Sequence, residues 1–433
     1  MRNTRKWSAV AALGSLTAAV ALLAGSPDAS AQTAPGGGSF PGSFLVPGTN
    51  TSIKVGGFAK VVGIYDIGGK AGDTVAVDGI ALRGSAAASL THGTRIHARQ
   101  SNLNVDTRTP TAYGDLTTFV LIDFFGQNTS QVENQANTQN ARVVYAYGTL
   151  GPFLAGQWVQ LFADTDAIAE SVDPTGHVGT MDGLSNRAPQ FRYTFAAPGG
   201  FSAAVSIENP EAEGSNGATG APFTTNTAGG IDKWPDLIGR VRLDQAWGHV
   251  ALSALYRDLK LDAPPGTAAV GAANHAGHAS YGAQLSGHLN TFGKDSLKWT
   301  GQAGKGLGHY MSNFRDNPVN GLVVNSATGA SKVPYAYGVN VAYTHWWTGA
   351  LRSSAEAGYE KNSLESAIVT AAAANAYDKR HYEARANLIW SPVPQVDLGI
   401  EYVWARRVTA ASAGAVGDSG TLNRLEVESV FKF

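Results

Sequence analysis

The chain of 433 residues contains no cysteine. Disulfides, thiolate metal centres and cysteine nucleophiles are therefore excluded. Net charge is nearly absent as well: 32 Lys and Arg stand against 33 Asp and Glu, a formal −1. That balance leaves no basic footprint for nucleic acid, and no nucleic-acid partner is expected. Beyond residue 31 no apolar run is long enough to cross a bilayer as a helix. The mean hydropathy of −0.10 suits a soluble protein. It suits a β-barrel equally, because lipid-facing and lumen-facing residues alternate and cancel in the average.

The N-terminus has the parts of a secretory signal. Arg2, Arg5 and Lys6 precede the short apolar run Ala9 to Ala24, and Ala29-Ser30-Ala31 is a small-x-small cleavage site. Residues 1–31 are read as a signal peptide, with Gln32 the first mature residue. Cleavage removes three bases and one acid, so the −1 becomes −3. Residues 32–50, rich in Gly, Pro and Ser, are read as a flexible periplasmic lead-in. No composition break follows, so 51–433 is read as one domain.

That domain has the two-residue period of half-buried strands. In the closing stretch Leu422 to Phe433, Leu425, Val427, Phe431 and Phe433 share one face, while Arg424, Glu426, Glu428 and Lys432 share the other. A terminal Phe needs an apolar setting, which the lipid at a periplasmic rim supplies. Similar alternation runs through 201–208, 237–244, 335–343, 382–390 and 396–404, and none of these has the three- and four-residue spacing of a helix. Soluble sandwiches alternate too, but the connections separate the two readings. Short turns lie at 109–112, 148–152, 197–200, 245–248, 291–296, 346–349 and 391–395. Long polar loops lie at 68–92, 126–140, 161–186, 208–233, 260–277, 309–333, 361–378 and 408–420. Seven turns alternating with eight loops imply sixteen strands. Lipid cannot satisfy an open sheet edge, so the sheet must close. The expectation is an all-β, 16-stranded antiparallel transmembrane β-barrel with short periplasmic turns, long external loops and the third loop folded inward. Tyr113, Phe153, Phe195, Phe201, Trp247, Phe292, Trp346, Trp347, Trp390 and Phe433 cluster near the short turns, as a periplasmic aromatic girdle requires.

With apolar faces outward, the alternate residues line a pore. Arg192, Arg240 and Arg242 suggest a basic rail for carboxylates, which guanidinium binds in bidentate fashion. Arg352 and Arg385 share the inward parity. Neutralisation of these arginines by neighbouring Glu is the competing reading. A phase slip near residues 95–108 implies a bulge at Gln100, which turns His97 and Arg99 either toward the pore or above the membrane plane. The third loop carries Asp164, Asp166, Glu170 and Asp173, and its Ile168, Val172 and Val178 need a surface to pack on. Folded inward, it sets acids across from arginines at a constriction.

Sites for other chemistry are weak. His275 and His278 lack a nearby third ligand, so no metal is assigned. Gly304 to Gly308 lacks the strand–loop–helix setting of a phosphate loop. No G-x-S-x-G elbow is present. No cofactor or enzymatic activity is expected.

The segments GGFAKVVGIYD (56–66), SNLNVDTRTPTAYGDLTTFVLIDFFG (101–126), ARVVYAYGTLGPFLAGQWVQLFADTDAIAESVDPTG (141–176) and RAPQFRYTF (187–195) resemble the DcaP-like outer-membrane porins. The resemblance implies a homotrimer in the outer membrane of a Gram-negative bacterium, with an arginine-bearing constriction that favours dicarboxylates and related small anionic solutes. It departs from the family at residues 32–50, which have no heptads where the best-known members carry a periplasmic coiled coil. Expected partners are outer-membrane lipid and lipopolysaccharide, and the barrel assembly machinery during insertion. A non-selective porin, a plugged adhesin barrel and a lipase barrel are the alternatives.

Overall fold

The computed structural model describes residues 37–126, 140–173, 175–180, 187–211, 213–224, 230–262, 275–311, 313, 321–363, 368–371 and 373–433. The signal-peptide reading of 1–31 lies outside the described residues.

Sixteen strands form the wall. β1 spans Ser52–Gly68, β2 Asn102–Thr111, β3 Gly114–Gly126 and β4 Asn140–Leu150. β5 spans Phe153–Val159, β6 Arg187–Ala196, β7 Phe201–Glu208 and β8 Asp236–Gln245. β9 spans Gly248–Asp262, β10 His275–Asn290, β11 Ser296–Lys305 and β12 Tyr335–Trp346. β13 spans Leu351–Ser363, β14 Asp378–Val393, β15 Val396–Thr409 and β16 Ser419–Lys432. Each strand pairs antiparallel with the next. β16 returns to β1, where Phe58 stands opposite Lys432 and Asp66 opposite Arg424. The barrel is closed, so no edge is left unpaired in lipid.

Alternation sorts the side chains as the sequence implies. The outward residues are apolar and uncovered, such as Phe191 at 61%, Leu285 at 51% and Val341 at 50% exposure. The inward partners on β9 to β16 include buried Arg257, Glu356, Glu383, Arg385, Glu401 and Arg424. At the turns Tyr113, Phe292 and Phe433 stand 82%, 80% and 69% exposed, where amphipathic rings meet the headgroup layer.

The slip near Gln100 is present. Thr94–His97 continues the line of β2 along β1, and 98–101 bulges between the two pieces. The backbone N–H of Lys60 donates to Ser101 Oγ (2.9 Å), which donates back to the Lys60 carbonyl (3.2 Å). In the lead-in, Phe40 is buried beneath the Arg108 guanidinium at 4.1 Å, and Phe44 and Leu45 pair with Ile53 and Ser52.

A second sheet, which the sequence pattern did not reveal, caps the external side. Glu213–Asn216 pairs antiparallel with Pro222–Thr224 and parallel with Leu322–Val324, which pairs with Ser331–Lys332. It joins the loop after β7 to the loop after β11. Its strand residues Leu322, Val323 and Val324 are buried.

Candidate functional site

Loop 3, which connects β5 to β6, does not stay outside. Leu161, Phe162, Val172 and Val178 are fully buried, so its apolar residues found the packing they require. Glycines make the close approach possible. A Cβ on Gly358 would lie 2.2 Å from the Val178 carbonyl oxygen, and one on Gly338 2.8 Å from Gly179 Cα. Gly179 itself sits at φ +81°, in the left-handed region.

The loop is then stitched along the inner wall from β8 to β15. His249 Nε2 (2.8 Å) and Ser286 Oγ (2.6 Å) donate to Asp164 Oδ2. Burial would raise the Asp164 carboxyl, but these bonds and nearby Arg242 hold it below its ordinary value. Asp166 meets Arg242 at 2.8 Å. Lys298 donates to the Ile168 carbonyl at 2.7 Å. Glu170 takes a two-pronged contact from Arg352, and Asn387 donates to the Glu170 carbonyl at 2.7 Å. Asp173 caps the Val75 N–H of the first external loop at 2.6 Å. Arg385 donates to the carbonyls of Asp173 (2.8 Å) and Thr175 (2.9 Å), and also to Glu383 (2.8 Å). His177 Nδ1 donates to Glu356 at 2.9 Å. Asp164, Asp166 and Glu170 thus face bases of the wall, and the wall acids Glu401, Glu383 and Glu360 accept from the backbone N–H groups of Val172, Val178 and Gly179.

These contacts divide the six arginines singled out from sequence. Arg242 pairs with Asp166 and Asp244, Arg352 with Glu170, Arg385 with Glu383, and Arg99 with Asp73 in the first loop. Arg192 and Arg240 differ. Arg192 donates to the Val159 carbonyl (2.6 Å) and Arg240 to the Ala163 carbonyl (3.1 Å). Neither has a carboxylate within ion-pair distance among the described residues. Ser206 stands opposite Arg192 and Ala204 opposite Arg240 on the intervening β7, so only small side chains separate the two.

The open path runs along the wall that loop 3 leaves bare. Inward residues of β2 to β6 are half exposed, including Asp106, Arg108, Thr117 and Arg192. With them stands an aromatic cluster that sequence reading missed: Tyr145 and Tyr147 approach Trp158 at 4.4 and 4.5 Å, and Phe119 lies 5.8 Å from Tyr147. Its residues share one unbroken register, Phe119 opposite Tyr147 and Leu121 opposite Tyr145, but aromatic rings on the inward face do not stand out from lipid-facing ones in an apolar–polar alternation. Below the loop, a cavity of about 370 Å3 is lined by Asp166, Arg242, His249, His288 and Lys298.

A sealed barrel with lipid outside, a charged lumen within and a loop folded across it is an outer-membrane porin. The Porin subfamily model matches residues 41–429, and the chain belongs to that family. Porin Omp2b of Brucella canis is 29% identical over 220 residues, 48% of this chain and 52% of that protein. Porin Omp2b of Brucella abortus matches over the same extent. The chain spans about half the length of the curated relatives it matches. Among solved structures, the outer membrane channel DcaP of Acinetobacter baumannii superposes with a TM-score of 0.71 at 20% identity, over 90% of this chain and 99% of that one. The anion-selective porin from Comamonas acidovorans gives 0.52 at 10% identity, over 88% and 100%. At these identities the likeness is one of fold.

Proposed function

We infer that the channel passes small anionic solutes, dicarboxylates among them, by passive diffusion. The observation that carries this reading is the pair Arg192 and Arg240. Two guanidinium groups held near each other with no described carboxylate inside ion-pair distance repel, and a solute carboxylate relieves that repulsion while keeping its hydrogen bonds. Transit asks for no bond-making. It asks for binding strong enough to draw the solute in and weak enough to release it. Asp164, Asp166 and Glu170 of loop 3 are occupied by wall bases, which lessens their opposition to an anion on this path.

The proposed assembly is a homotrimer, processed after residue 31 and inserted through its C-terminal strand by the barrel assembly machinery. An OmpT structure from Vibrio cholerae with a similar fold is described as a trimer form.

Purified protein in planar bilayers under a KCl gradient tests the reading. The expected reversal potential is that of an anion-preferring pore, and succinate added to one side should lower the chloride current. A permeability ratio near one, with no effect of succinate, would instead make this a non-selective diffusion pore.

A further inference from the structure

The external rim of the lipid-facing surface is unevenly charged. On β9 and β10 its ionic groups are matched: Lys260 meets Asp258 at 2.9 Å, and His275 meets Asp262 at 2.6 Å. Further round, on β13 to β15, Lys361, Arg380 and Arg406 also face outward, because their neighbours Glu360, His381 and Ala405 are buried in the inward register. Lys361 stands directly opposite Arg380, and Arg406 opposite Tyr382, two residues along the strand from Arg380. No acid shares the outward face of β11 to β15 among the described residues, and none of these three cations has a described hydrogen-bond or ion-pair partner there. Like charges directly opposite one another across a strand pair are destabilising, and cations beside hydrocarbon more so. Such a cluster calls for an anion supplied from outside the chain.

The ring neighbours fix its depth. Tyr337, Tyr359 and Tyr382 run across three adjacent strands, with centroids 6.0 and 5.0 Å apart, among the three cations. Tyrosines in a row across a barrel mark the headgroup level. Directly below, toward the membrane centre, Ala355 is paired with Ala386 and Ala357 with Ala384, all exposed. Larger outward residues flank these four, Val341 and Tyr343 on β12 and Tyr402 and Trp404 on β15. The surface thus has a shallow apolar trough beneath a basic, tyrosine-lined patch.

We propose that this patch binds the phosphorylated headgroup of an outer-leaflet glycolipid of the lipid A type, with an acyl chain laid in the alanine trough. Arg380 and Arg406 suit the phosphate oxygens by bidentate contact and Lys361 by point charge. The tyrosine hydroxyls lie level with the sugar. The site is on the outside of the barrel, apart from the permeation path, and is independent of what the pore conducts.

Native mass spectrometry of the folded, detergent-purified protein tests it. Bisphosphorylated lipid A, its enzymatically dephosphorylated form and inorganic phosphate are added separately at equal concentration. The expected result is an adduct with bisphosphorylated lipid A that is at least tenfold more abundant than with the dephosphorylated lipid, and none with inorganic phosphate. The variant Lys361→Ala/Arg380→Ala/Arg406→Ala should lose the adduct while its single-channel conductance in neutral lipid stays as in the parent. Equal binding of both lipids by the parent chain would overturn the proposal without recourse to any variant. So would undiminished binding by a folded triple variant, or displacement of the lipid by inorganic phosphate alone at an equal concentration.

Discussion

Arg192 on β6 and Arg240 on β8 flank one strand, with Ser206 opposite the first and Ala204 opposite the second, and each spends a hydrogen bond on a carbonyl at the root of loop 3. The root of the loop therefore orients the two cations without neutralising them. Arg242, two residues on from Arg240, is by contrast neutralised by Asp166 and Asp244. Arginines of one parity in sequence thus divide into free and paired according to where loop 3 lies.

The first prediction concerns that free pair. A unit charge at 4 Å in water is worth about 1 kcal/mol, roughly fivefold in local anion concentration. Arg192→Ala/Arg240→Ala should lower the anion-to-cation permeability ratio by about that factor or more in 0.1 M KCl. The effect should shrink in 1 M KCl, where the screening length falls to about 3 Å. Reversal potentials at the two salt concentrations give the answer. An unchanged ratio at low salt removes the pair from the conduction path.

Arg385 should behave differently. It is 4% exposed, between Glu383 and Glu401 and under two loop 3 carbonyls. Removing one partner of a buried ion pair costs about 3–5 kcal/mol, because the other charge is left stranded. Arg385→Ala should lower the temperature at which the folded band is lost on a semi-native gel, by far more than Arg192→Ala does. It should also make the open-channel current noisier, as loop 3 loses its anchor. A stable variant with altered selectivity would instead place Arg385 in the permeation path.

Much of this was legible in the chain itself, and for a physical reason. Lipid forces closure and alternation, so strand count, turn positions, the inward parity of Arg240, Glu356 and Glu401, and the apolar need of Val172 and Val178 all follow from spacing. What spacing does not carry is which strand lies across from which loop. The pairing of Glu170 with Arg352 spans 182 residues, and that of His249 with Asp164 spans 85. Neither leaves a local mark. The external sheet escaped notice because Glu213–Asn216 and Leu322–Val324 are short segments in polar loops and pair in parallel from two different loops. The Tyr145–Trp158 cluster escaped because aromatic rings on an inward face read, by hydropathy, like lipid-facing ones.

His177 gives loop 3 a dependence on pH. Burial lowers the basicity of its imidazole, but contact with Glu356 outweighs burial and carries the pKa above its ordinary 6.5, against opposition from Arg385 and with help from Glu383. A group with a raised folded pKa contributes its full stabilisation below the unfolded value and loses it as pH climbs through the folded one. Loop 3 should therefore be quiet at about pH 6 and less firmly held in alkaline buffer. Open-channel noise and voltage-induced closure recorded from about pH 6 to 10 should rise with pH in the parent. His177→Gln, which keeps a donor but cannot titrate, should flatten that profile. A parent channel with no alkaline change refutes the role.

The external cap depends on one guanidinium. Arg257 is 1% exposed, and it donates to Asp236 (3.0 Å) and Glu213 (2.8 Å) as well as to the carbonyls of Glu211, Gly306 and Leu307. One side chain thereby ties the loop after β7 to the loop after β11. Burial pushes the Glu213 carboxyl up, but His309 and Arg257 reverse that and hold it at about 2. A depressed folded pKa means the contribution is full above the unfolded value and is lost progressively as pH falls from there through about 2. The cap should consequently resist protease equally well from about pH 7 to 5.5, and less well as pH falls further. Glu213→Gln removes a charged hydrogen bond worth about 1.5–3 kcal/mol. Cleavage within residues 208–236 should speed up in that variant, and bulky sugars should enter liposomes faster, while small-ion selectivity stays as in the parent. If cleavage and swelling both match the parent, Glu213 is not what closes the cap.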